Sequence, residues 1–206
     1  MNTFWYILLG MIVVIAALGL IWRRDALPCP AWLSWMVEMD NPFTKFNRAA
    51  VIVQFLDLRP GMKVLDAGCG PGRLTLPLAK EVGPQGKVLA VDLQEDMLAR
   101  VREKVQALAL ENVTFLHAAL GAGQLPQIGF DRALLVTVLG EIPDQVSALK
   151  EIYEALKPGG ILSVTEVIFD PHFQRREAVL RAAEEVGFRE KAFYGKKLAY
   201  TLHLEK

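Results

Sequence analysis

The sequence predicts an α/β domain on a mostly parallel sheet, preceded by an apolar segment. Short runs rich in Val, Leu and Ile alternate with stretches of helical periodicity. Such runs suit strands covered on both faces, and their alternation with helices means βαβ units. A cluster of glycines, VLDAGCGPG at 64–72, stands where the first run ends. The chain opens on an apolar stretch of nineteen residues, 4–22, without a charge.

That stretch reads FWYILLGMIVVIAALGLIW. At about 1.5 Å per residue, a helix of this length crosses a hydrocarbon core of about 30 Å. Trp5, Tyr6 and Trp22 stand at its ends, where amphipathic rings favour the membrane interface, and Arg23 and Arg24 follow at once. No Lys or Arg precedes it, so the positive-inside bias places the rest of the chain in the cytoplasm. The expectation is a single-pass anchor over 1–22, with the membrane bilayer as a partner. A cleaved signal peptide competes with this reading. The lack of a basic leader and the length of the run weigh against it. Apolar residues on every face weigh against a core helix.

Residues 23–44 form a linker or lid. Pro28, Pro30 and Pro42 cut it into short pieces. Between them, 31–39 reads as a short helix with Trp32, Trp35, Met36 and Met39 on one face. The stripe has two readings: packed on the core, or lying at the membrane surface over a site.

The globular domain spans 45–206. Strands are expected at 63–67, 88–92, 113–117, 132–138 and 161–167. The helix at 95–110 carries Leu98, Val101, Val105 and Leu108 as a stripe; the one at 145–156 carries Val146, Leu149, Ile152 and Leu156. LKPGG at 156–160 reads as a helix stop. A helix over 175–186 ends at Gly187. Strands at 188–194 and 198–204 then flank a Gly-Lys-Lys turn at 195–197, adding an antiparallel strand.

Composition limits the partners. Lys and Arg total 23, as do Asp and Glu, so no basic bias points to nucleic acid. Cys29 and Cys69 have no spacing that makes a metal site or a disulfide framework, and reduced thiols are the simplest reading. No metal is expected.

A glycine loop after the first strand of such a sheet holds a ligand at the next helix N-terminus. In G-x-G-x-x-G the third glycine would fall at Arg73. Here the glycines are Gly68, Gly70 and Gly72, with Asp66 two residues before the first. The pattern D-x-G-x-G-x-G resembles motif I of the class I S-adenosylmethionine (SAM)-dependent methyltransferases. The resemblance extends over about 47–206 through VLAVD ending at Asp92, FDRALLVTVLGEIPD, LKPGGILSVTE and the closing hairpin.

The resemblance implies a doubly wound, Rossmann-like sheet of seven strands in the order 3-2-1-4-5-7-6, with strand 7 antiparallel. It implies SAM as cofactor. Asp66, Ala67, Gly68, Cys69, Gly70 and Gly72 would approach its methionine part, Asp92 its ribose hydroxyls and Leu93 its adenine; Ala119, Leu120 and Thr137 complete the set. Many members carry an acidic residue after the third strand. FLHAALGAGQLP offers Ala118 and Ala119 there, leaving adenine to backbone groups or Gln124.

Ligands in such sheets sit beyond the carboxyl ends of the strands. Glu141, Glu166, Asp170, His172 and Phe173 fall there. Glu166 and His172 are the residues named for a catalytic role. Singly, Glu141 and Asp170 read as loop caps and His172 as a surface residue; His117 and His203 read as structural. The loops after strands four and five are short, so acceptor specificity falls to 31–53, with Trp32, Trp35 and Phe43 at the mouth. The expectation is methyl transfer to a small or membrane-soluble acceptor, lipid or quinone-like, at the cytoplasmic face. Two other readings stand beside it: a non-catalytic SAM-binding or scaffold protein, which would form no S-adenosylhomocysteine, and a methyltransferase acting on protein or nucleic acid.

Overall fold

The computed structural model describes residues 5, 6, 10, 29, 38, 39 and 47–206. No helix among them is long and apolar enough to cross a membrane. Most of the expected 4–22 span lies outside the described residues, as do Arg23, Arg24, Trp32, Trp35, Met36 and Phe43.

The strands are β1 (Lys63–Ala67), β2 (Lys87–Asp92), β3 (Val113–His117), β4 (Phe130–Val136), β5 (Leu156–Val167), β6 (Arg189–Lys196) and β7 (Ala199–Glu205). The helices are α1 (Ala49–Phe55), α2 (Thr75–Val82), α3 (Glu95–Ala107), α4 (Gln145–Ala155) and α5 (Arg176–Val186). The strands form one sheet in the order β3-β2-β1-β4-β5-β7-β6. β7 runs antiparallel to both neighbours, and the other pairings are parallel.

Alternation along each strand feeds two cores. Val64, Val88, Ala90 and Leu134 pack with Ile52, Leu78, Leu98 and Val101 from α1, α2 and α3. Leu65, Leu89, Val91 and Leu135 pack on the other face with Leu149 and Ile152 of α4 and Val179 of α5. Each such leucine, fully buried, contributes about 1.5–3 kcal/mol. Chain order reverses at β1, which pairs with β2 on one side and β4 on the other. The crevice beyond the carboxyl ends of β1 and β4 is therefore where a ligand belongs.

Several boundaries differ from the sequence expectation, each for a local reason. β4 ends at Val136 because Thr137 turns to φ +55. LKPGG is not simply a helix stop: α4 ends at Ala155, and β5 already begins at Leu156, which pairs with Phe130 before the register shifts. α3 ends at Ala107 rather than 110, and Ala109 takes φ +50. The hairpin turns at Lys197 and Leu198, while Gly195 is a β6 residue opposite Tyr200. Gly195 is needed there because it has φ +112, and a Cβ would lie 2.4 Å from the Ala199 carbonyl oxygen.

Candidate active site

A cleft of about 530 Å³ opens at the β1/β4 switch point, lined by residues that include Gly68, Gly70, Arg73, Asp92, Ala119, Thr137, Glu141 and His172. Its volume lies within the ~300–1,000 Å³ usual for small-molecule sites. The glycine loop forms its floor. Gly68 has φ +74, and a Cβ on it would lie 2.5 Å from Val138 Cγ2, so the loops after β1 and β4 touch only because this side chain is absent. Thr137, next to Val138, holds a positive φ unusual for a β-branched residue; its N–H donates to the Thr165 carbonyl at 2.9 Å.

Asp92 ties the loop together. Its Oδ2 accepts from the Gly70 N–H and its Oδ1 from the Gln94 N–H, each at 2.8 Å. A carboxylate has about four acceptor positions, so these two bonds leave it capacity toward a hydroxyl in the cleft. Beyond it Leu93, Met97, Ala118, Ala119 and Leu120 make an apolar wall. Glu151 holds the loop behind that wall by accepting from the Gly121 N–H at 2.5 Å and the Leu125 N–H at 2.7 Å. Gln124 is exposed and not on the lining. Among the described residues, no acidic side chain stands at that wall.

Arg73 lines the methionine end, where its guanidinium donates to the Asn47 carbonyl at 2.7 Å and to Asn47 Oδ1 at 3.2 Å. Asp66 lies beneath the loop, buried and off the lining. Its Oδ2 accepts from the Thr75 hydroxyl at 2.6 Å, and burial pushes its pKa up to about 6. It anchors the start of α2 to β1. Ala67, Cys69 and Gly72 also lie off the lining, and Cys69 is buried.

The far end of the cleft gathers acids and a histidine from two loops. Glu141 lies in the 3-10 turn Leu139–Glu141 after β4; Asp170 and His172 lie in the loop after β5. His172 Nδ1 is 3.8 Å from Glu141 Oε1 and 3.9 Å from Asp170 Oδ1, and its backbone N–H donates to Asp170 Oδ1 at 2.7 Å. His172 is buried rather than on the surface. The loops meet closely: a Cβ on Gly140 would lie 1.9 Å from the His172 carbonyl oxygen. Burial, with the charges of Asp170 and Asp92, raises Glu141 to about 8; the Cys29 backbone N–H bonds to it and opposes the shift. The Cys29 carbonyl accepts from Gln94 Nε2 at 2.8 Å, so Cys29 bridges the ribose and acceptor sides.

Glu166 is buried behind this loop and off the cleft lining. Its Oε2 accepts from the Gln174 N–H at 3.0 Å, and the Tyr200 hydroxyl donates to the Gln174 carbonyl at 2.8 Å. It therefore positions the loop that carries Asp170 and His172. Burial, with the charges of Asp170 and Glu141, raises its pKa to about 8. The folded chain thus keeps this proton where the unfolded chain has lost it. Stability from the group is full below about 4.5 and is lost as pH rises through about 8. Glu166→Gln should flatten the fall in melting temperature between about pH 5 and 8.5. Thermal melts across that range check it, and an unchanged slope would contradict the assignment.

Of the residues singled out in the sequence, Met39, Gly68, Gly70, Asp92, Leu93, Ala118, Ala119, Leu120, Thr137, Glu141, Asp170 and His172 line the cleft. Asn47, Arg73 and Gln94 line it without having been singled out. Arg73 had a signal, a cation directly after the glycine loop; Asn47 reaches the site only through the tertiary fold. Of the other histidines, His203 is buried and held down to about 4 by that burial and by the Arg132 charge. His117 is exposed, with Nε2 2.8 Å from the Leu93 carbonyl.

The cleft fits SAM: acceptor positions on Asp92 for the ribose, an apolar wall for adenine, Arg73 beside a backbone loop at the amino-acid end. This combination of fold and cleft is that of a SAM-dependent methyltransferase domain. The chain belongs to the methyltransferase-domain family, whose match covers residues 58–201. It is 41% identical over 110 residues to the demethylmenaquinone methyltransferase of Bacillus cytotoxicus, covering 52% of this chain and 46% of that one. Against the enzyme of the same name from Geobacillus stearothermophilus it is 36% identical over 110 residues, covering 53% and 47%. The chain thus spans about half the length of the curated relatives it matches. A SAM-dependent methyltransferase from Aquifex aeolicus has the same fold, with TM-score 0.75 and 23% identity over 86% of this chain and 98% of that one.

Proposed function

We propose that the protein methylates a quinone-like, membrane-soluble acceptor in its reduced form at the cytoplasmic face of a membrane. One observation carries the reading. The acceptor end of the cleft sets the Glu141–Asp170–His172 cluster within an apolar rim of Ile142, Pro143, Phe169 and Pro171. That suits a flat apolar ring bearing an ionisable hydroxyl. The likeness to demethylmenaquinone methyltransferases supports it over half the chain.

Bound in the cleft, SAM supplies an electrophilic methyl group. The residues align an acceptor with it and keep water out. A quinol hydroxyl, like tyrosine, holds its proton at neutral pH, with a pKa of about 10. Glu141 takes that proton on its carboxylate, and the oxygen or the ring carbon beside it becomes nucleophilic. That nucleophile would take the methyl of SAM held there, the sulfur keeping the bonding pair. After methylation at carbon the ring proton would move to the ring oxygen, restoring the quinol, and the proton held on Glu141 would pass to solvent. A Glu141 raised to about 8 is a stronger base than an ordinary carboxylate and is ionised in part near neutral pH.

Incubation of the full chain with methyl-labelled SAM and a total membrane lipid extract tests the acceptor class. Label is expected in the quinone fraction; label in phospholipid or protein would overturn the reading. Residues 4–22 serve as the anchor in this account, with Arg23 and Arg24 on the cytoplasmic side. A reporter active only in the cytoplasm, fused after Lys206, should give signal. Silence there, with signal from a reporter that works only outside, would reverse the topology.

A further inference from the structure

The cleft has an apolar lip that the chemistry above does not use. Beyond β5 the chain passes through Ile168 and Phe169, 43% and 66% exposed, and the β6–β7 turn sets Leu198, 57% exposed, beside them. The Ile168 N–H donates to the Leu198 carbonyl at 2.8 Å, so the loop and the turn are joined. Lys196 and Lys197, both exposed, precede Leu198. Phe169 also lines the cleft, so the lip is continuous with the acceptor end.

We propose that this lip docks on an anionic bilayer, with Ile168, Phe169 and Leu198 entering the interface and Lys196 and Lys197 pairing with lipid head groups. The inference rests on the reading that the acceptor is membrane-soluble, and it names the surface through which that acceptor arrives. Three observations favour a bilayer. The apolar residues are large, exposed and on two turns joined by a backbone bond, where they can enter an interface without unfolding. The charge beside them is basic and complements anionic lipid; Asp170, the nearest acid along the loop, is turned inward to the His172 N–H. Finally, Cys29 lines the same cleft. Only six residues lie between it and Trp22, the end of the charge-free segment. At about 3.3–3.6 Å per residue, the seven steps to Cys29 reach at most about 25 Å.

The test is amide hydrogen exchange on the full chain reconstituted in phosphatidylglycerol or phosphatidylcholine vesicles. Exchange at Phe169, Lys197 and Leu198 is expected to be slower by about fivefold or more in the anionic vesicles. Lys196→Glu/Lys197→Glu and Ile168→Ser/Leu198→Ser should each remove the slowing, with β4 and β5 unchanged. Equal exchange in both vesicles, or slowing that depends on protein concentration and not on lipid, would overturn the proposal. The second outcome would mark a surface for another copy of the chain. In parallel, the Lys196→Glu/Lys197→Glu variant should methylate a water-soluble, tail-less quinol at the unaltered rate and a vesicle-embedded quinol about fivefold more slowly. Lipid-dependent slowing with neither quinol methylated by the unaltered protein would support the lip and sink the acceptor reading, so the two fail separately.

Discussion

Glu141→Gln is expected to lower the rate of methyl transfer about 10²–10⁴-fold, the contribution of one positioned proton acceptor. Glutamine keeps the shape and the capacity to accept the Cys29 N–H but cannot take a proton. SAM affinity should stay within about threefold, because Asp92, the glycine loop and the apolar wall are untouched. The pH profile adds a second readout. The base works ionised, so the unaltered protein should gain rate as pH rises through about 8, where burial and the Asp170 and Asp92 charges hold the group. The variant should lose that limb. Single-turnover rates from about pH 6 to 9.5 measure both. A full rate in the variant with an unchanged profile would remove Glu141 from the chemistry.

Asp92→Ala is expected to weaken SAM binding by about 1–3 kcal/mol, a loss of about 5–150-fold. Two causes combine. Hydroxyls of the ribose lose their acceptors on entering a half-closed cleft. The Gly70 and Gln94 N–H groups, each now 2.8 Å from an Asp92 oxygen, lose the anchor that shapes the glycine loop. Calorimetry with SAM and with S-adenosylhomocysteine measures the loss, which should be alike for both because they share the ribose. Unchanged affinity would overturn the placement of the cofactor.

The sheet and the cofactor half of the cleft are legible in the sequence because their signals are local. Strand, glycine loop and helix follow one another within about twenty residues, and Asp92 ends the next strand at a set distance. The acceptor half is assembled from afar. Glu141 and His172 come together only because β4 and β5 are neighbours and Gly140 leaves room for the His172 carbonyl oxygen. Neither loop shows that alone. Asp66 and Glu166 show the limit of pattern in another way. Both sit at strand ends where a carboxylate suits chemistry, yet both side chains are turned into the protein, Asp66 to Thr75 and Glu166 to the Gln174 N–H. Side-chain direction follows from packing on the two faces of the sheet, which residue type does not encode. Gly195 misleads for a similar reason. A glycine beside two lysines reads as a turn, but it is the approach of the Ala199 carbonyl that demands it.

The most direct test of the account follows the methyl group. The full chain, reconstituted in vesicles carrying a reduced, ring-demethylated naphthoquinol with an isoprenoid tail, is supplied with methyl-labelled SAM. One labelled quinone methyl is expected for each S-adenosylhomocysteine formed, at a rate that collapses in Glu141→Gln. S-adenosylhomocysteine formed with the label on protein or nucleic acid, or a quinol left unmethylated while SAM remains bound in the cleft, would contradict it.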